Sequence, residues 1–322
     1  MSKIFLKVTA ILVLLTVVYV ILLSFLTPPP LVHSPLSSDP RSPTNPPSPT
    51  PTPATVTVGL LGDLGLGRHI TSTARQKDDF SWSFQEATSW LSQNDFNLAN
   101  LESPVIKDCP HGPTGTFTFC GDTRFLPHLK SNKFYFNLSN NHILNYGNDG
   151  LRQTKDYLNQ NEIPFVYSHS PDTEFITRTI NGITFGFLGY DFVTYPQYDR
   201  NTVLDKARLY DNQVDWLVVS LHWGNEYLPS PESWRQNFAK ELIDAGVDII
   251  HGHHPHVWQE PEVYKDKLIY YSFGNFIFDQ SWSYETSHSQ IARLTLTKDK
   301  VLAQELYPIE IVANSQPRLM SP

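Results

Sequence analysis

Sulfur is scarce in this chain: 322 residues carry two cysteines and two methionines. Cys109 and Cys120 have no zinc-site partners at the right spacing, so they are not counted as metal ligands. Both fall in one Gly/Pro-rich segment. In an oxidising compartment a disulfide closing that short loop is expected, with two unpaired thiols as the alternative. Basic runs are missing too. Lys and Arg total 24 against 32 Asp and Glu, and the formal charge of −8 excludes nucleic acid as a partner. No repeat at solenoid or propeller period is present.

One long apolar run exists, and it lies at the N-terminus. Val8 to Leu26 is about nineteen residues without a charge, enough for a helix to cross the hydrocarbon core. Lys3 and Lys7 precede it, and the next Lys or Arg is Arg41. The positive-inside rule keeps the N-terminus in the cytoplasm and sends the rest outside. A cleaved signal peptide is the competing reading. The run is long for that purpose, and Thr27-Pro28-Pro29-Pro30 makes a poor cleavage site. Residues 1–27 are therefore expected to form a single-pass membrane anchor. Residues 28–54, dense in Pro, Ser and Thr, form a polyproline-like spacer, and 55–317 form one extracytoplasmic domain.

That domain mixes strands and helices. Strands are expected at Ala54–Leu61, Phe96–Leu101, Phe134–Leu138, Asp215–Leu221 and Asp248–Ile250. Helices are expected at Ser83–Gln93, Asp149–Gln160 and Glu232–Ala245, the last stopping at Gly246. Asn181-Gly182 between two apolar alternating runs reads as a type I′ hairpin, with further hairpins at Lys265–Lys267 and Lys298–Lys300. Five of the strands release Asp63, Glu102, Asn141, His222 or His254 at their C-terminal ends. In layered α/β folds that edge is where ligands bind.

Asp63 and Glu102 supply carboxylates, Asn141 an amide oxygen, and His222, His254 and His256 imidazoles. Without thiolates the set suits Mn, Fe or Zn in a site of one or two divalent ions. Each residue has a plainer reading: Asp63 as a turn residue, Asn140-Asn141 as a helix cap, His222 as a hydrogen-bonded core histidine. The run His251, His253, His254 and His256 is harder to explain as filler.

Taken together, GDLGLGR at 62–68, NLESP at 100–104, Asn140-Asn141-His142, HWGNEY at 222–227, GHHPH at 252–256 and YSFGNFIFD at 271–279 resemble the CapA family. These are capsule-synthesis or poly-γ-glutamate-biosynthesis proteins with a metallophosphatase-like (calcineurin-like) domain. The resemblance runs from about Thr55 to Pro317. It implies a four-layer α/β/β/α sandwich and a dinuclear metal site. Asp63 and His256 would hold one ion, Asn141, His222 and His254 the other, and Glu102 would bridge them. His142 would be the catalytic acid. Arg68 would bind an anionic substrate group, and Glu226 and His253 would lie just outside the ligands, Glu226 orienting His222. The family usually has an acid three positions after the motif histidine, and here that position is Asn145, with Asp149 the nearest substitute.

Three functions follow as expectations. One is a metal-dependent hydrolase at the outer face of the membrane. Another is a non-catalytic anchored subunit of a polymer synthesis or export complex, touching its other subunits or an anionic polymer. The last is a phosphoesterase acting on a cell-envelope substrate.

Overall fold

A computed structural model of the chain describes residues 53–110, 117–169 and 173–321. The expected anchor, and the expected spacer up to residue 52, lie outside these residues. Among the described residues no helix is long and apolar enough to cross a membrane.

Two sheets carry the domain. In spatial order the first runs Gln316–Leu319, Val301–Val312, His288–Leu296, Val56–Leu64, Phe96–Leu101, Phe134–Asn137 and Phe165–Val166, with Asn275–Ile277 pairing beside Asp63 and Leu64. The second runs Glu262–Tyr264, Lys267–Tyr270, Ile249–His253, Trp216–His222, Ile183–Asp191 and Phe175–Ile180. The strands central to each sheet are parallel, so their C-terminal ends share one edge.

The sheets face each other through a common core. Val56, Val58, Leu60, Phe96 and Leu98 from the first meet Phe185, Phe187, Trp216, Val218 and Ile249 from the second. Alternate residues point the other way, where helices cover them. Helices Arg68–Lys77 and Gly147–Gln160 pack on the first sheet through Ile70, Ala74, Leu151 and Leu158. Helices Arg200–Asp211 and Ser233–Asp244 pack on the second through Val203, Ala207, Phe238 and Leu242.

The two-residue period of a strand places the polar residues as well. Val218, Ser220 and His222 share a face, as do Ile249, His251 and His253, and Phe96, Leu98 and Asn100. Each series begins apolar in the inter-sheet core and ends polar at the common edge. The first strand does the same after a register break between Leu60 and Asp63.

Local expectations fare unevenly. Phe96–Leu101 has the expected ends, and Asn181 and Gly182 take φ of 50° and 80° as a type I′ turn requires. The helix expected over Ser83–Gln93 is broken into Trp82–Phe84 and Thr88–Ser92. The strand expected to end at Ile250 continues to His253, so His251 and His253 belong to the sheet. Cys109 and Cys120 are bonded to each other.

Candidate metal centre

Asp63, Glu102, His222, His254 and His256 converge at the shared strand edge, all but removed from solvent. Asp63, Glu102 and His222 offer one donor atom each within 4.8 Å of one another, and so do Glu226, His254 and His256. The two triads meet at His256. Its Nδ1 lies 3.3 Å from Asp63 Oδ2 and its Nε2 3.5 Å from Glu102 Oε1. Asn141 Oδ1 sits 2.9 Å from His222 Nε2. Asn140 is the turn cap, accepting from the backbone of His142 and Ile143, which leaves Asn141 to the cluster.

The two triads cut across the sharing that motif order suggests, yet its pairs are in contact as well: Asp63 with His256, and Asn141 and the His254 ring with His222. His254 and His256 fall together with Glu226, whereas Asp63 falls with His222. Glu226 does not orient His222, whose two ring nitrogens face Asn141 and Asn100. The reason is the loop after His222, which carries Glu226 across to the other histidines. Tyr227 N–H donates to Pro255 O (2.8 Å), tying the two loops together.

Two asparagines organise the cluster without having been singled out from sequence. Asn100 Nδ2 stands 2.9 Å from Asp63 Oδ1, 3.1 Å from Glu102 Oε2 and 3.3 Å from His222 Nδ1. Its Oδ1 accepts from Asn137 and Asn140, which fixes the amide orientation. Asn275 Oδ1 meets His256 Nδ1 at 2.9 Å. Both lie in the quoted motifs, NLESP and YSFGNFIFD, and their position within them is the signal that was available. His253 lies between the cluster and the sheet, with Nδ1 3.0 Å from Asp63 Oδ1 and Nε2 2.9 Å from His251 Nδ1. The Asp63 approach has the distance of a hydrogen bond but not its angle, and His253 Nδ1 remains without one.

Burial opposes charge on every one of these groups, and their neighbours decide the outcome. Asp63 is held well below the ordinary carboxylate range because His253 and His256 outweigh its burial. Glu102 is pushed well above it, burial and the charge of Asp63 acting together. Burial would lower His256, yet Glu102 and Asp63 raise it to about 9. Burial and its histidine neighbours take His254 down to about 3, and His222 is likewise well below its usual value.

These residues fit a divalent cation. Glu102 Oε1 and His254 Nδ1 are buried with no hydrogen-bond partner, a costly condition for two lone-pair donors unless a cation satisfies them. His254 and His256 hold φ of 94° and 57°, backbone strain of the kind found where geometry serves a site. The donors are oxygen and nitrogen only, as Mn, Fe or Zn accept.

His142 borders the cluster, its Nε2 4.0 Å from Glu102 Oε1. Its Nδ1 faces Asn145 Oδ1 at 3.2 Å, an atom that also accepts from Phe119 N–H and is thereby fixed as oxygen. Nδ1 therefore carries the proton. Burial lowers this imidazole to about 4. Asp149 does not replace the missing acid: it is exposed and bound to Arg152 and Gln153. Arg68 does not stand open for an anion either. Asp279 grips it through Nε (3.2 Å) and Nη2, and its guanidinium lies over Phe119 and Phe278.

A second layer of contacts holds the loop that delivers Glu226. Arg235 is fully buried and reaches Glu232 at 2.6 Å, Gln259 at 2.9 Å and the Tyr271 carbonyl at 3.4 Å. Gly224 takes φ of 86° against it, and a Cβ there would stand 2.7 Å from Arg235 Cζ. Gln259 in turn donates to Leu228 O.

A mixed α/β fold with a buried oxygen-and-nitrogen donor cluster at its strand ends defines the class, and comparison with known proteins agrees. The chain belongs to the bacterial capsule synthesis protein PGA_cap family, whose model matches residues 57–280. It is 30% identical over 277 residues to the PGA biosynthesis protein CapA of Bacillus subtilis, covering 80% of this chain and 72% of that one. It is 26% identical over 283 residues to the capsule biosynthesis protein CapA of Bacillus anthracis, covering 81% and 68%. In fold it is similar to a hypothetical protein from Thermus thermophilus (TM-score 0.52, 14% identity, 79% of this chain and 99% of that chain). A novel phosphatase from Mycoplasma pneumoniae is similar as well (TM-score 0.50, 15% identity, 80% and 95%).

Proposed function

We propose that this protein is a membrane-anchored, metal-dependent hydrolase of the cell envelope that serves capsule or poly-γ-glutamate synthesis or export. On this reading its domain is a four-layer α/β/β/α sandwich of the metallophosphatase type facing the outside, and it takes two divalent ions. The observation that carries it is the pair of buried, partnerless donors, Glu102 Oε1 and His254 Nδ1, inside two adjoining triads. Glu102, whose two oxygens face different partners, is placed to serve both ions. Asp63, His222 and Asn141 would hold one, and Glu226, His254 and His256 the other. The ions when bound would activate water and offset negative charge developing on the substrate. His142 presents a bare Nε2 to the cluster, where it takes a proton and returns it to the departing oxygen. Asn100 and Asn275 keep the carboxylates and His256 aimed.

The test is elemental analysis of the purified full chain, with phosphodiester hydrolysis measured alongside. Close to two ions per chain are expected, with one ion and the activity lost in His254→Ala. A metal-free wild type, or a variant equal to it on both counts, defeats the proposal.

A second reading keeps the metal site but not turnover: an anchored, non-catalytic subunit of the polymer machinery. Asn145 favours it, because an amide beside His142 cannot stabilise an imidazolium as a carboxylate would. His142→Ala introduced into the producing cell separates the two readings. Unchanged surface polymer supports the subunit, and lost polymer supports the hydrolase.

A further inference from the structure

The hydrolase reading leaves the substrate open, and the cavity beside the metal centre narrows it. About 400 Å³ in volume, this cavity reaches His142 and His256 at its floor. A larger cleft near Lys130, Lys133 and Arg178 has none of the cluster's donors in its walls.

Two features of the cavity matter. The first is its charge. Among its described lining residues Arg68 is the one Lys or Arg, and Asp279 already engages that guanidinium between two rings. Glu226 adds a carboxylate to the wall. With Arg68 held by Asp279, the described lining residues offer a polyanion no uncommitted Lys or Arg, so affinity for anions belongs to the cation cluster alone. The second is its rim. Trp282 is 63% exposed and Tyr227 43% exposed, their rings edge-on with centroids 6.0 Å apart, and the Tyr227 ring stands 6.3 Å from that of His256. Aromatic rings left facing solvent beside a reactive centre offer flat apolar faces for a ligand.

We propose that this cavity is the leaving-group subsite and that it takes an uncharged pyranose. Its phosphoryl group sits at the donor cluster, its C–H face lies on Trp282 and Tyr227, and its hydroxyls turn to Gln280. The proposal rests on the hydrolase reading for its chemistry. The oxygen of water bonds to phosphorus and the bond from phosphorus to the sugar oxygen breaks. One proton of the water passes by way of His142 to that oxygen, giving a free sugar hydroxyl and a phosphate monoester. Capture of the ring, by contrast, needs no turnover.

The experiment is calorimetric titration of the manganese-loaded full chain with glucose 6-phosphate and with glucitol 6-phosphate, which has the hydroxyls but no ring. The ring compound should bind about tenfold more tightly, the worth of one good aromatic contact. Trp282→Ala should bring that ratio near one while the bound manganese, read by elemental analysis, is unchanged. Equal affinity of wild type for the two ligands overturns the subsite. So does tighter binding of adenosine 5′-phosphate than of glucose 6-phosphate, which would make the cavity a nucleobase site. If the ring preference holds but the methyl diester of glucose 6-phosphate is not cleaved, the subsite stands and the hydrolase reading falls.

Discussion

The two donor triads are built differently. Asp63, Glu102 and His222 come from strand ends, are fully buried, and are spaced by sheet register and by Asn100. Glu226, His254 and His256 come from loops. Glu226 is exposed, and the two histidines hold left-handed backbone angles. A rigid closed triad beside a strained open one suits a centre that must hold a cation firmly and still admit a ligand. The open triad depends on support from elsewhere, namely Arg235, Gly224 and Gln259.

The comparison breaks first at Glu102, which touches both sides. Glu102→Ala should weaken metal binding by more than ~100-fold, since even residues that merely orient ligands cost ten- to a hundredfold. Elemental analysis after dialysis reads this directly, and retention of both ions would show that Glu102 is no ligand. Next is Arg235. Arg235→Met strands the buried Gln259 amide oxygen and takes the ion partner from Glu232, so a stability loss of about 3 kcal/mol is expected in denaturant titration. The same variant should lose the ion of the open triad and keep that of the closed one; equal loss of both would erase the distinction. Gly224→Ala tests the same support more mildly, with about 2 kcal/mol expected from a disfavoured φ and overlap with Arg235.

Asn145→Asp sharpens the roles around His142. A carboxylate there stabilises the imidazolium, so diesters with poor leaving groups should react faster, by about tenfold. Diesters of p-nitrophenol, which leaves without a proton, should change little. Equal effects on both would show that His142 does not protonate the leaving oxygen.

The smallest effect is a control remote from both triads. Burial would raise Asp122, but Arg124 and Arg75 hold its carboxyl well below the ordinary range. A carboxyl with a depressed folded pKa contributes stability above its unfolded value of about 3.9, lost progressively as the pH falls below that. Asp122→Asn should cost about 1 kcal/mol or less at pH 7, because solvent screens the exposed Arg124 side of the cluster. The difference from wild type should shrink toward pH 3, and metal content should not move.

Much of this was legible in the chain itself. Short, largely apolar runs mark Phe96–Leu101 and Asp215–Leu221 as strands, and the two-residue period aims Asn100 and His222 at the face their apolar neighbours use. Asn-Gly fixes the Asn181–Gly182 turn because both positions need positive φ. The order of the motifs indicates the family, and the donor types an oxygen-and-nitrogen cluster without thiolates. Such properties are local, set by a few neighbouring residues. How the donors are divided between two triads is not local. It depends on a loop that brings Glu226 to His254 and His256, on a buried arginine that holds the loop, and on Asp279 claiming Arg68 from 211 positions away. These contacts join residues far apart in sequence, and no spacing or period records which of several possible partners a charged side chain finally meets. The packed sheets decided that, because burial leaves each charge only the partners within reach.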